Sequence, residues 1–100
     1  MIPLHIHLEE GFANDAVVVR IGGISVAERT GVTTRTQLGL ATIVEESVEP
    51  ARVTVTLEVP TRRTAVEVTV DPRETPYIGC SLDAAGQPSC RLSREILGYA

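Results

Sequence analysis

The chain has no lysine and no tryptophan, one methionine, one phenylalanine and two residues each of tyrosine, histidine and cysteine among its 100 residues. Each scarcity removes a class of function. Sugar-binding surfaces stack their ligands on exposed aromatic rings, and here Tyr77 is the one aromatic expected on an outward face. Both histidines, His5 and His7, fall on the first strand, and no Gly-x-Ser-x-Gly elbow is present. Nucleophilic catalysis therefore finds little support in the sequence. Nine arginines are outnumbered by thirteen acidic residues, giving a net charge of −4. A surface that binds nucleic acid must be positive to release counterions from phosphates, so no nucleic-acid partner is expected.

No apolar run approaches the roughly 18 residues of a membrane span, and no membrane partner is expected. The first ten residues, Met1 to Glu10, lack the basic region, the long apolar run and the cleavage site of a secretion signal. The expected location is the cytoplasm. The use of arginine alone as the basic residue reflects either a GC-rich coding bias or a demand for bidentate contacts to carboxylates or phosphates. Arg62-Arg63 is where arginines cluster.

Thirteen valines and eleven threonines are abundant instead, and they mark strands. The clearest are Arg52–Val59 and Thr64–Asp71, in which apolar and polar residues alternate on either side of Pro60-Thr61-Arg62-Arg63. Side chains of a strand point to opposite faces in turn, so each run has one face for a core and one for water. Folding them together sets Val53 against Val70, Val55 against Val68 and Leu57 against Val66. On the wet face Thr54 meets Thr69, and Arg52 meets Asp71 as an opposite-charge pair. Val59 joins this buried row.

Other strands are expected over residues 2–8, 16–21 and 24–30. Gly22-Gly23 between the last two supplies the positive φ of a two-residue hairpin, opposing Ile21 to Ile24 and Val19 to Val26. Placed inside a hairpin, these glycines are no phosphate loop. Residues 31–36 read as a connection between sheets, and 38–48 as a strand, with a short helix as the alternative. Pro3 points to an edge position for the first strand. A last hairpin spans 77–92 around Asp83–Gln87. The fold class is all-β: one domain, an antiparallel β-sandwich of seven to eight strands, immunoglobulin-like or jelly-roll-like, with a small β-barrel as the alternative.

Three sets of residues invite chemistry. Cys80 and Cys90 fall opposite each other across the last hairpin, as reduced buried thiols, as a cross-strand disulfide, or in a redox or metal role. His5, His7 and Glu9 share the outward face of the first strand, where two imidazoles and a carboxylate can ligate a transition metal or form a solvated polar face. Glu45, Glu46 and Glu49 have no calcium-loop spacing and read as a solvated acidic turn.

By elimination the expected function is non-catalytic: protein–protein interaction, with self-association into a homo-oligomer and no cofactor. The residues expected at the interface are Val18, Ala27, Ala65, Tyr77, Ile96, Leu97 and Tyr99, apolar side chains in excess of one thin core. The alternative is a small metal-binding protein or metalloenzyme using His5, His7 and a nearby carboxylate.

Overall fold

A computed structural model describes residues 1–98. Eight strands form two four-stranded sheets: β1 Ile2–Leu8, β2 Asp15–Ile21, β3 Ile24–Val32, β4 Thr42–Val48, β5 Val53–Val59, β6 Thr64–Val70, β7 Tyr77–Leu82 and β8 Pro88–Ser93. One sheet has the order β4-β1-β7-β8 and the other β3-β2-β5-β6. They pack face to face as a β-sandwich, and neither closes on itself into a barrel. The inward faces contribute one aliphatic cluster, in which Leu4, Ile6, Leu8, Val19, Val59 and Ile78 are fully buried. Among the described residues no helix is long and apolar enough to cross a membrane.

The central hairpin adopts the register that alternation implies, with Val53, Val55 and Leu57 opposite Val70, Val68 and Val66. Its turn is a short 3-10 helix, Pro60–Arg62, closed by Arg63 at φ 53°. Val55, Leu57, Val59 and Val70 are buried, whereas Val53, Val66 and Val68 are only half-buried. Arg52 lies outside β5; Asp71 bonds Arg73 at 2.8 Å, and the Arg52 charge acts on it as well. Gly22 and Gly23 take φ values of 60° and 82°, as the tight β2–β3 turn requires.

Four expectations are corrected. β1 is not an edge strand: it lies between β4 and β7, and its pairing with β7 is parallel. Pro3 is tolerated there because β7 comes alongside only from His5 onward, so the missing N–H of Pro3 leaves no gap in that ladder. In the β2–β3 hairpin, an irregularity between Val19 and Arg20 sets Val19 opposite Ala27, not Val26. One extra residue exchanges the faces, so Ala27 is a core residue at 7% exposure and not an interface residue. Finally, the strand expected from Leu38 begins at Thr42, and Arg35–Leu40 forms a bridged turn before it.

Candidate functional site

The outward face of the β4-β1-β7-β8 sheet carries a cluster of polar and aromatic side chains. Alternation along β1 turns Leu4, Ile6 and Leu8 into the core and His5 and His7 outward. The parallel register sets His5 beside Tyr77 and His7 beside Gly79. The His5 ring stacks on Tyr77 with centroids 4.7 Å apart and planes 15° from parallel, while His7 meets the same ring edge-on at 6.2 Å. On the other side His5 Nδ1 lies 3.1 Å from Oε2 of Glu45, its register partner on β4.

Glu9, just past β1, folds its carboxylate over Gly79. A Cβ at position 79 would collide with Glu9 Oε1, so only glycine leaves room for it. Arg91, which pairs with Gly79 from β8, completes the arrangement. Its Nε donates to Glu9 Oε1 at 3.2 Å and its Nη2 to Oε2 at 2.7 Å. This fork geometry is the one in which a guanidinium holds a carboxylate in two parallel bonds. His7 and Glu9 are therefore buried, at 4% and 5% exposure, although they sit on the outward face of a sheet. Burial pushes the His7 imidazole below its ordinary value; the Glu9 carboxylate opposes this, and His5 and Arg91 add to it. Among the described residues a cleft of about 450 Å³ adjoins this cluster, lined by Glu9, Glu10, Ser81, Ser89 and Arg91.

Geometry separates the three residues read as metal ligands. His5 faces Glu45, and Glu9 is engaged by Arg91. Among the described residues no three His, Cys, Asp or Glu side chains come together in a way that could hold a metal ion. The alternative of a solvated polar face is corrected as well, since His7 and Glu9 are buried in a network.

Cys80 and Cys90 are register partners on β7 and β8 and both are free thiols. Cys80 is fully buried and Cys90 half-buried. Cys80 donates a hydrogen bond to the Cys90 sulfur, which pushes the Cys80 thiol up, with burial adding to the effect, and lowers that of Cys90.

The expected interface residues scatter. Val18, half-buried, and Ala65, exposed, lie on the outward face of the β3-β2-β5-β6 sheet, each beside Glu58 or its neighbours. Tyr77 is on the opposite sheet, half-buried against His5. Ile96 is 75% exposed and Leu97 half-buried after β8, and Tyr99 lies outside the described residues. No protein-family model, curated protein or solved structure matches this chain.

Gly79 and Arg91 of the outward cluster escaped sequence reasoning, and Glu45, read as part of an acidic turn, lies within β4 instead. Centring the last hairpin on Ala85 pairs Gly79 with Arg91 across β7 and β8. Nothing local, however, shows that β1 lies alongside β7.

Proposed function

We propose that this chain is a non-catalytic β-sandwich that associates with a second copy of itself along its β6–β8 side. The observation that carries this reading is the incomplete cover of inward-pointing side chains there. Val66 and Val68 on β6 and Cys90 on β8 are half-buried, and Leu92 on β8 is 44% exposed, although all four point toward the core side of their sheets. β6 and β8 lie next to each other, and each is the last strand of its sheet. Edge strands offer backbone N–H and C=O groups to a partner strand.

Charge favours a second copy as the occupant, in one arrangement. Pairing β6 with β6 of another copy about Glu67 would oppose two like charges. Setting β6 of one copy beside β8 of the other brings the outward-facing Glu67 and Arg91 toward each other. Such a contact is isologous, so it closes as a dimer. The same reading puts the protein in the cytoplasm, where both thiols stay reduced.

Sedimentation equilibrium at micromolar concentration tests the reading. A dimer is expected, and Leu92→Glu should return it to 10.7 kDa, while Val18→Glu, on the outward face of the other sheet, should leave it dimeric. A single 10.7 kDa species for the unaltered chain across the concentration range would overturn it. So would a dimer indifferent to Leu92→Glu.

A further inference from the structure

In an antiparallel pair, opposed residues alternate between those that exchange backbone hydrogen bonds and those that do not, and side chains approach most closely at the latter. Three hydrogen bonds assign Cys80 and Cys90 to the second kind. Asp83 N–H donates to Gln87 O at 3.0 Å, which makes 83 and 87 a bonded position. Leu82 N–H instead turns away from β8 and donates to Glu10 O at 2.8 Å. Two residues earlier the Cys80 carbonyl also turns away, accepting from Glu9 N–H at 2.7 Å. The Cys80–Cys90 pair is therefore non-bonded, with Cα atoms about 4.5 Å apart in regular sheets. That spacing lies within the range of roughly 4.4–6.8 Å that a disulfide spans.

The hairpin holds this register firmly. Its turn is tied by the Asp83 carboxylate, which accepts from Ala85 N–H at 2.8 Å and Gln87 N–H at 2.9 Å. The two thiols also differ in access: Cys80 is 1% exposed in the core, whereas Cys90 is half-buried on an edge strand. In the monomer, where no second copy covers β8, an incoming reagent meets Cys90 first and finds Cys80 directly behind it.

We propose that Cys80 and Cys90 form a reversible dithiol–disulfide site, with Cys90 as the sulfur that attacks a small hydroperoxide and Cys80 as the one that resolves it. In the first step the Cys90 sulfur, having lost its proton to solvent, attacks one peroxide oxygen. An S–O bond forms and the O–O bond breaks. The leaving alkoxide or hydroxide takes up a proton, and Cys90 becomes a sulfenic acid. In the second step Cys80, no longer beside a thiolate, passes its proton to the sulfenic oxygen as its Sγ attacks the Cys90 sulfur. The S–S bond forms, the S–O bond breaks, and hydroxide departs with the Cys80 proton as water. The two thiols are oxidised by two electrons and the peroxide is reduced to water and an alcohol, or to two waters for hydrogen peroxide. The hydrogen bond from Cys80 favours the Cys90 thiolate, the nucleophilic form. A dithiol reductant reverses the process by exchange.

The test uses the full chain, diluted until it is monomeric, and hydrogen peroxide. Thiols counted after denaturation should fall from two to none, the monomer should lose the mass of two hydrogens, and dithiothreitol should restore both. With Cys80→Ala, dimedone should trap a sulfenic acid on Cys90. With Cys90→Ser, the remaining buried thiol should stay unreacted. Should either variant fail to fold, the unaltered chain still decides, because the native protein should close its disulfide at least tenfold faster than the same chain in urea. Two surviving thiols in excess peroxide, an intermolecular disulfide, or equal rates in the folded and unfolded chains would each overturn the proposal.

Discussion

The guanidinium of Arg62 grips the buried carboxylate of Asp15 with two hydrogen bonds, Nε to Oδ1 at 2.9 Å and Nη2 to Oδ2 at 3.1 Å. Thr61 Oγ1 donates to the same carboxylate at 2.6 Å and Ala13 N–H at 2.8 Å, so the start of β2 is tied to the β5–β6 turn. Arg62 also donates to the Gly11 carbonyl in the loop before β2. The arginine preference noted in the sequence is used here to bond a carboxylate, within the chain.

Asp15→Ala removes four acceptor contacts at a site 1% exposed and leaves Ala13 N–H and the Thr61 hydroxyl without their partner. Because Arg62 can turn to solvent, the expected loss is moderate, about 2 kcal/mol by urea unfolding. Arg62→Ala leaves the buried carboxylate without its counter-charge, held only by Thr61 and Ala13, and should destabilise at least as much.

The same carboxylate gives an acid limb. Burial pushes Asp15 up, but the bonds from Arg62, Ala13 and Thr61 more than offset this and hold it below its ordinary value of 3.8. A depressed carboxylate contributes stability that is complete above the unfolded-state value and is lost as pH falls through the folded one. Urea midpoints measured downward from pH 5 should therefore drop below about pH 4. Asp15→Asn should flatten that part of the drop.

His7 has the opposite charge and a second window. Its folded value lies below 6.5, chiefly through burial, so the folded state prefers the neutral ring. Stability should be highest above the unfolded value, fall as pH passes down through about 6.5, and level off once the folded ring is protonated. His7→Gln should remove this step while keeping the rest of the pH profile. An unchanged step would mean that another group carries it.

At position 79 the side chain is absent because Glu9 occupies the space. Gly79→Ala should displace the carboxylate from Arg91 and cost about 1–3 kcal/mol. In the Glu9→Ala background the same change should cost clearly less. Thermal unfolding of the four proteins of this double-mutant cycle gives the coupling.

Within the central hairpin, Val55 is 3% exposed and Thr56 faces outward opposite Glu67. Val55→Asp buries a charge and should cost more than about 4 kcal/mol, enough to unfold a small domain. Thr56→Asp should cost only a few tenths of a kcal/mol, through repulsion from Glu67. Circular dichroism separates the two outcomes.

Strands, turns and hairpins were legible because their causes are local. Alternation along Val53–Val59 and Thr64–Val70 states which face is apolar, and Gly22-Gly23 states where the chain reverses. The register of the last hairpin, and with it the Cys80–Cys90 pairing, follows from the length of the Asp83–Gln87 turn. What was misread depended on a single inserted residue or on distant neighbours. The irregularity in β2–β3 exchanged Val26 and Ala27, and the burial of His7 and Glu9 needed a glycine on one distant strand and an arginine on another.

By itself the sequence determined an all-β chain: periodicity of two sets the faces, and glycine, proline and aspartate set the reversals, all within about ten residues of each other along the chain. Only the tertiary structure decided that β1 runs parallel to β7 inside its sheet, that the β6–β8 side stays partly open, and that Glu9 meets Arg91. These are contacts between segments whose own patterns would satisfy several sheet orders equally well. The choice among those orders rests on how both sheets bury their apolar faces together, a property of the assembled core that no single segment carries.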